Sequence, residues 1–312
     1  MPESAKPKIV VLAGPTGIGK TSLSLEIAER FNGAIVGADS MQVFRHMDIG
    51  SAKPEHSEQQ QAPHYMIDVA DPDEPFDAAA YARMARAGID QILDQGRLPV
   101  VVGGTGFYIK ALLHGLFPAK PADAAVRDRL HKEAAEKGIH WLYDRLRQAD
   151  PAAAERIHPN DTYRVIRALE VCELTGRPMS AYQAAHGFSE QPFAPLKFCL
   201  YMEREALYER INRRVAAMVA AGLLEEVKSL LERGYSGDLK PMQSLGYRHM
   251  LSYLYGQMDW AAAVDQLKKD TRRYAKRQLT WFRKDPEMIW KTPDEKSSIF
   301  EWIAQFIHSN IG

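Results

Sequence analysis

A glycine-rich segment close to the N-terminus restricts the fold of this chain more than any other feature. Residues 14–21 read GPTGIGKT and match the P-loop pattern G-x-x-x-x-G-K-[ST] in full. The apolar residues of 8–13 are typical of a strand buried on both faces of a parallel sheet, and apolar residues in 21–30 recur at helical spacing. In this setting the loop N–H groups, the helix N-terminus and Lys20 converge on one anion, so the motif predicts a phosphate-binding loop. On the motif alone, ATP is the expected ligand.

Strands and helices alternate after this loop. We predict buried strands at 34–38 and 98–102, with a helix at about 77–95 between them. Such alternation predicts an α/β fold, a P-loop NTPase-like parallel sheet flanked by helices. The polar loop 39–42 and the glycine-rich loop 103–106 follow these strands directly, as the P-loop follows the first strand. Because ligands bind at the carboxyl ends of parallel strands, we expect the three loops to form the active cleft.

The middle of the chain differs in character. Residues 119–193 are rich in Ala, Arg and Glu, have prolines near both borders and show helical periodicity without a convincing strand. We therefore predict a P-loop core domain of residues 1–118 and 194–312, interrupted by an all-helical insertion domain at 119–193. Beyond the insertion, the patterns predict one strand and three long helical segments, at 196–201, 205–233, 243–256 and 260–284.

Composition excludes several other classes of protein. The chain has 312 residues, 46% of them hydrophobic and 26% charged, which is typical of a globular protein. Its two cysteines, Cys172 and Cys199, form no CxxC pair, so we expect neither a disulfide framework nor a structural zinc site. No apolar stretch approaches the roughly 20 residues needed to cross a bilayer. We therefore expect a cytoplasmic protein without a membrane anchor.

A basic segment lies near the C-terminal end of an otherwise neutral chain. The formal net charge is +0, yet residues 268–284 contain eight Lys or Arg and one acidic residue, Asp270. Such a run fits a solvated helix face, and it also fits a surface that binds a polyanion. Because Tyr274 and Trp281 are interleaved with the charges, the segment favours RNA binding.

Four further positions allow both a functional and a structural interpretation. Asp39 follows a predicted strand and could be a metal-binding carboxylate, a general base or the N-cap of the next helix. Thr105 could face the ligand or cap the helix that begins near Phe107. Arg164 and Arg167 are spaced i,i+3 on one predicted helix face, where they could contact RNA or form surface ion pairs.

Six motifs occur in a fixed order along the chain: GPTGIGKT, ADSMQVF, GGTGFY, HPNDTYRVIRALE, SLGYR and KRQLTWFRK. Together they closely resemble the bacterial tRNA dimethylallyltransferase family, the isopentenyltransferases that modify adenosine 37 beside the anticodon. The resemblance extends over about residues 8–285, nearly the whole chain. Each motif alone is shared with P-loop kinases, but the ordered set is highly specific. Some relatives carry a C-terminal zinc finger, and the absence of its cysteines here supports the bacterial form.

The resemblance implies a reaction in which the P-loop binds a diphosphate group. Dimethylallyl diphosphate would donate its dimethylallyl group to N6 of the adenine and release diphosphate. Asp39 is implied as the base that accepts an N6 proton, with Thr105 near the diphosphate and N6. Mg²⁺ is implied as the cofactor, bound near Thr21. The implied diphosphate-binding residues belong to the P-loop: Gly14, Thr16, Gly17, Gly19, Lys20 and Thr21.

The resemblance also implies tRNA, bound through its anticodon stem-loop, as the macromolecular partner of a monomeric enzyme. The implied tRNA contacts fall in five parts of the chain: Ser40, Met41, Gln42, Arg127, Tyr163, Arg164, Arg167, Gln243, Lys276, Arg277, Gln278, Trp281 and Arg283. Two alternatives share the P-loop. One is a metabolite or nucleotide kinase, which would transfer phosphoryl groups from ATP. The other is a non-catalytic RNA-binding NTPase switch, which would form no covalent product.

Overall fold

The chain divides into two compact units. The structure, a computed structural model, describes residues 6–117 and 123–309. The first unit comprises Met1–Leu113 and Gln191–Gly312, and the second comprises His114–Glu190. Across the described residues, no helix is long and apolar enough to span a membrane.

The first unit contains a six-stranded parallel sheet. The strands are β1 (Lys8–Ala13), β2 (Gly33–Gly37), β3 (His64–Tyr65), β4 (Leu98–Gly103), β5 (Ala194–Leu200) and β6 (Ile289–Lys291). Their order across the sheet is β3-β2-β4-β1-β5-β6, and every neighbouring pair is parallel. Val10 lies beside both Val100 and Leu196, so β1 is paired on both edges. Because the strands run the same way, the loops after β1, β2 and β4 emerge at one end of the sheet.

Nine helices belong wholly or mainly to the described part of the first unit. They are α1 (Lys20–Arg30), α2 (His56–Gln59), α3 (Ala78–Asp94), α4 (Gly106–His114), α10 (Arg204–Ala220), α11 (Leu223–Glu232), α12 (Tyr247–Leu254), α13 (Trp260–Phe282) and α14 (Lys296–His308). A core cluster joins β1, β4 and β5 to the buried faces of α1, α10, α13 and α14, through residues such as Ile27, Ile211, Ala275 and Ile299. Burial of this apolar surface stabilises the sheet–helix layers, and the predicted α/β fold is confirmed.

Two of the predicted helical segments are wrong in their extent. The segment 205–233 forms two helices, because Gly222 has φ +97° and begins α11 in a left-handed conformation. The segment 243–256 becomes helical only at Tyr247, after turns that end at Gly246, where φ is +91°. The sequence patterns also missed the short strands β3 and β6 at the two edges of the sheet.

The second unit is helical throughout its described residues. Its helices are α5 (Ala124–Lys137), α6 (Ile139–Ala149), α7 (Pro151–Ala154), α8 (Thr162–Thr175) and α9 (Met179–His186). Leu130, Leu142, Leu146 and Leu169 pack in its own hydrophobic core. The buried carboxylate of Asp150 caps α7 through the N–H of residue 153 and also accepts hydrogen bonds from residue 180. The unit therefore has the apolar core and capping expected of an independent helical body.

Candidate active site

The P-loop adopts a backbone conformation that its glycines make possible. Gly14, Gly17 and Gly19 have φ values of +149°, +80° and +101°, a region that L side chains rarely occupy. The loop ends at Lys20, the first residue of α1. Its ammonium nitrogen donates hydrogen bonds of 2.9 Å to the carbonyl oxygens of both Gly14 and Pro15. The cation is thus folded back over the loop at the N-terminus of a helix, as anion binding requires.

The charge of Lys20 is sensitive to its surroundings. Burial, together with the neighbouring charge of Arg214, lowers the pKa of this lysine to about 8, although the charge of Asp39 acts in the opposite direction. The ammonium form therefore predominates at neutral pH. A bound anion would favour that form and raise the pKa again.

Asp39 lies two residues beyond β2 and organises the loop that follows it. Its Oδ1 accepts hydrogen bonds from the N–H groups of Met41, at 2.8 Å, and Gln42, at 3.4 Å. Its Oδ2 accepts no hydrogen bond from the described residues. The carboxylate acts electrostatically on Lys20 and Arg214. One oxygen thus holds the loop, and the other remains able to accept a proton or a ligand.

Thr105 connects the end of β4 to the loop after β2. Its backbone N–H donates to the carbonyl oxygen of Ala38 at 3.1 Å. Its hydroxyl oxygen accepts the N–H of Ser40 at 3.0 Å and lies 3.4 Å from the hydroxyl of the same serine. The side chain is therefore turned toward the loop that carries Asp39. The two predicted catalytic residues lie at adjacent strand ends, joined through one serine.

Three arginines beside the P-loop were missed by sequence reasoning. Arg210, Arg213 and Arg214 lie on α10 and line, with Gly17 and Gly19, a cavity of about 430 Å³. None of the three forms an ion pair within the described residues. Burial lowers the pKa of Arg214, while the charge of nearby Asp39 opposes that effect. Their i,i+3,i+4 spacing indicates one helix face, but the sequence alone could not show that this face meets the P-loop.

Three tyrosines, Tyr81, Tyr108 and Tyr274, lie near Asp39. The rings of Tyr81 and Tyr108 stack with centroids 4.3 Å apart, and the Tyr81 hydroxyl has no hydrogen-bond partner among the described residues. Burial raises the pKa of both phenols and of Tyr274, and the charge of Asp39 contributes to all three shifts. The Thr105 side chain acts on the Tyr274 phenol in the opposite direction and lowers its pKa. The three phenols therefore lie within electrostatic range of Asp39, and such interactions are strong in buried surroundings.

Comparison with known proteins gives a consistent result. The family model described as IPP transferase matches residues 42–285. A tRNA dimethylallyltransferase of Desulfosudis oleivorans is 58% identical over 285 residues, which is 91% of each chain. The crystal structure of a full-length tRNA isopentenylpyrophosphate transferase from Bacillus halodurans is 41% identical, with 97% of each chain covered and a TM-score of 0.72. The chain belongs to the tRNA dimethylallyltransferase family.

A eukaryotic member of this family extends the comparison. A dimethylallyltransferase captured acting on tRNA is 28% identical, covering 96% of this chain and 79% of the eukaryotic one, with a TM-score of 0.80. The predicted family and the predicted enzyme class, a prenyltransferase, are therefore confirmed. The P-loop alone also fitted a kinase or an NTPase switch. The similarity to these transferases extends over nearly the whole chain and therefore outweighs both alternatives.

The dimethylallyltransferase resemblance implied RNA contacts on α13, and most of these side chains are exposed. Lys276, Arg277 and Arg283 are solvent-exposed. Trp281 is 38% exposed and packs edge-on against Phe107, which is 44% exposed, with ring centroids 6.3 Å apart. An exposed aromatic pair among exposed cations suits stacking on unpaired bases.

Other implied RNA contacts of this family have partners within the first unit. Gln278 is only 5% exposed, and both ends of its carboxamide bind backbone groups. The Gln42 amide nitrogen donates to the carbonyl oxygen of Ala52 at 3.0 Å. The Gln243 side chain is exposed, and its amide nitrogen donates to the carbonyl oxygen of residue 237 at 2.7 Å. Ser40 and Met41 are half-buried in the loop beside Asp39.

The second unit contains the remaining residues that the family resemblance implied. Arg127 and Arg167 bind the same oxygen of Glu170, at 3.0 and 2.7 Å, and the Glu170 side chain is fully buried. Burial alone would raise the pKa of Glu170, but the hydrogen bonds from the two arginines outweigh it and lower the pKa. Tyr163 and Arg164 are strongly exposed, and Arg164 lies 3.4 Å from the carboxylate of Asp161.

The oxygen donors near the phosphate loop determine whether Mg²⁺ suits this family member. No group of three or more His, Cys, Asp and Glu within residues 6–117 and 123–309 could hold a metal ion. Thr21, in the first turn of α1, has a hydroxyl without a hydrogen bond to the described chain, which leaves it available as an oxygen donor. Mg²⁺ keeps several waters and binds through few protein oxygens together with substrate phosphates. This donor set fits Mg²⁺ held with a diphosphate.

Proposed function

We propose that this enzyme transfers the dimethylallyl group of dimethylallyl diphosphate to N6 of adenosine 37 in the tRNA anticodon loop, releasing diphosphate. The observation that carries the proposal is the grouping of the Lys20 loop, Asp39 and Thr105 at neighbouring strand ends in a chain of the tRNA dimethylallyltransferase family. A leaving-group site and a proton acceptor then lie in one cleft, as alkylation of an amine requires.

The phosphate loop stabilises the leaving group. As the C1–O bond of the donor breaks, the allyl group gains cationic character and negative charge grows on the diphosphate. Lys20, the N–H groups of the loop at Gly17 and Gly19, and Arg214 are fixed before the reaction begins. Preorganised donors of this kind are most effective where charge develops in the transition state. The predicted diphosphate site therefore gains one residue, Arg214.

Asp39 accepts the proton that N6 loses. The adenine amine is a poor nucleophile because its lone pair is delocalised into the ring, so removal of a proton assists C–N bond formation. The Oδ2 of Asp39 accepts no hydrogen bond from the described residues, and Oδ1 is held by the loop N–H groups. Such assistance typically contributes about 10²–10⁴-fold to the rate. Thr105, next to this loop, orients the N6 group or the diphosphate through its hydroxyl.

The Thr21 hydroxyl is the protein group that would hold Mg²⁺ with the diphosphate. The ion would supply positive charge that stabilises the leaving group. Thr21 is at the end of the P-loop motif, where the resemblance also implied the metal.

Adenine has to leave the anticodon-loop stack to reach a recessed cleft. Ser40, Met41 and Gln42 form the lip beside Asp39 and contact the extruded base. The exposed cations of α13 bind the RNA backbone, and Trp281 with Phe107 stacks on a neighbouring base. Gln243 and the helical unit, through Tyr163, Arg164, Arg127 and Arg167, add further tRNA contacts. We propose that a monomer in the cytoplasm performs the reaction.

The test is incubation of the purified enzyme with unmodified tRNA and labelled dimethylallyl diphosphate, without ATP. We expect label in the tRNA and one diphosphate released for each group transferred. A parallel reaction with γ-labelled ATP tests the kinase alternative and should label nothing. Phosphoryl transfer from ATP, with no transfer of the allyl label by folded protein, would refute the proposal.

A further inference from the structure

Gln278 is a buried side chain that joins two loops of the active site. Its Oε1 accepts the backbone N–H of Thr16 at 2.9 Å, and its Nε2 donates to the carbonyl oxygen of Gly104 at 2.9 Å. The side chain is 5% exposed. A single carboxamide therefore links the P-loop to the turn that leads to Thr105.

The surroundings of Gln278 are shaped to this arrangement. A Cβ atom on Gly104 would collide with the Gln278 amide nitrogen, so only glycine lets the backbone approach so closely. Tyr274, one helical turn earlier on α13, lies close enough to Gln278 and Thr105 for both side chains to lower the pKa of its phenol, which burial raises overall. The Gln278 carboxamide thus lies next to one of the two residues proposed to act in catalysis.

A direct RNA contact by Gln278 is incompatible with these bonds. To reach a nucleotide, the carboxamide would have to release the N–H of Thr16 and the carbonyl of Gly104. The Gly104 carbonyl would then lack a partner in a buried place, and the Thr16 N–H in a partly buried one, which is unfavourable. Its neighbours Lys276 and Arg277 are exposed and keep no such bonds to the active-site loops.

The bridge also explains how the P-loop is oriented. The N–H of Thr16 is held by Gln278 and is therefore not directed at a phosphate group. Anchoring the loop at that residue limits the directions in which the following N–H groups, at Gly17 and Gly19, can point. An oriented set of donors binds an anion better than a mobile set, because less freedom is lost on binding.

We propose that Gln278 is a positioning residue that fixes the phosphate loop against the Gly104–Thr105 turn, and that it governs diphosphate binding and turnover rather than affinity for RNA. The inference rests on the proposed function for the identity of the diphosphate substrate. One helix then serves both substrates: its exposed cations face RNA, and its buried carboxamide holds the loop for the other substrate.

The experiment compares Gln278→Leu with Arg277→Ala, a change at the adjacent exposed residue. For each variant we would measure the Kd for inorganic diphosphate by calorimetry, kcat and KM for dimethylallyl diphosphate, and the Kd for an anticodon stem-loop RNA. Gln278→Leu should weaken diphosphate binding and raise this KM by about tenfold, with a lower kcat and an RNA Kd within about twofold of the parent. Arg277→Ala should instead weaken RNA binding and leave the Kd for inorganic diphosphate and the KM for dimethylallyl diphosphate nearly unchanged.

Gln278→Glu provides a second variant of nearly unchanged volume. It keeps the acceptor for Thr16 but places a carboxylate oxygen against the Gly104 carbonyl. It should therefore weaken diphosphate binding in the same direction, and a thermal melt checks that each variant folds. If Gln278→Leu does not fold, the diphosphate affinity of Gln278→Glu tests the inference instead.

Unchanged diphosphate affinity in a folded variant, or a loss confined to RNA affinity, would overturn the inference. Failure of the proposed function is distinguishable, because it would appear as absent allyl transfer by the parent enzyme. Because binding of inorganic diphosphate is measured without turnover, it tests the positioning role of Gln278 whether or not the enzyme transfers the allyl group.

Discussion

The backbone N–H of Ser40 donates a 3.0 Å hydrogen bond to the hydroxyl oxygen of Thr105. The bond ties the loop after β2 to the turn after β4, and Asp39 precedes the serine directly. A carboxylate and a hydroxyl from residues 66 positions apart in the sequence are thereby brought to one cleft. This proximity is the reason for assigning Asp39 as a base and Thr105 as an orienting group in one cleft. The anion-binding loop of the same cleft follows β1.

Replacing Asp39 with Asn should remove the proton acceptor while preserving the structure of the loop that follows β2. The amide oxygen can still accept the N–H of Met41, but the side chain no longer takes up a proton. Single-turnover transfer should fall by about 10²-fold or more, with the RNA Kd nearly unchanged. Asp39→Ala, which also removes the loop bond, serves as the comparison. Near-normal transfer by the Asn variant would exclude Asp39 as the base.

The lowered pKa of Lys20 predicts a pH dependence of diphosphate binding. The free enzyme loses this proton near pH 8, whereas the bound anion favours the ammonium form. Affinity for inorganic diphosphate should therefore decrease as the pH rises above about 8. In Lys20→Arg the cation remains charged, so the decrease should disappear even if overall affinity changes. The same decrease in both proteins would assign the titration to another group.

Arg214→Ala should weaken binding of the allylic substrate. The guanidinium lies at the P-loop without an ion-pair partner among the described residues, so it is available for the diphosphate. We expect KM for dimethylallyl diphosphate to rise by about tenfold or more, since a charge-assisted hydrogen bond is lost. Arg204→Ala is the matched control, because Arg204 lies on the same helix but is exposed and stacks on Tyr208. Equal effects of the two changes would point to a nonspecific loss of positive charge.

Arg277→Ala should weaken RNA binding and reduce its dependence on salt. Each phosphate contact that is lost lowers the slope of log K against log salt concentration by about one. Arg233→Ala, at an exposed position after α11, is the control and should leave the slope unchanged. An unaltered slope in Arg277→Ala would leave the basic segment as an ordinary solvated helix face.

The buried Glu170 predicts an effect on stability in the helical unit. Glu170→Gln leaves Arg127 and Arg167 without their shared carboxylate and should lower the free energy of unfolding by about 3 kcal/mol. Because the pKa of Glu170 is lowered on folding, its contribution is present at neutral pH and is lost as the pH falls through that lowered value. Urea unfolding at neutral pH and at a pH below that lowered pKa measures this contribution. Glu155→Gln, at an exposed position on the same unit, should change little.

Local sequence patterns predicted the parts of the site that lie within short segments. The P-loop, Asp39 and Thr105 each follow a strand whose apolar run is legible in the sequence, so their common location follows from the topology of a parallel sheet. Contacts between distant segments were not predictable. Gln278 meets Thr16 across 262 positions, and Arg210 of α10 lies beside Gly19 of the P-loop although 191 positions separate the two residues. Periodicity identifies the buried face of a helix but not what that face contacts.

The most direct test uses two anticodon stem-loop RNAs that differ only at position 37. One carries adenine, and the other carries hypoxanthine, in which oxygen replaces the N6 amine. After incubation with dimethylallyl diphosphate and digestion to nucleosides, mass spectrometry should find one dimethylallyl group on the adenosine and none on the hypoxanthine RNA. Equal modification of both RNAs, or modification of neither by the folded enzyme, would contradict prenyl transfer to N6 at this site.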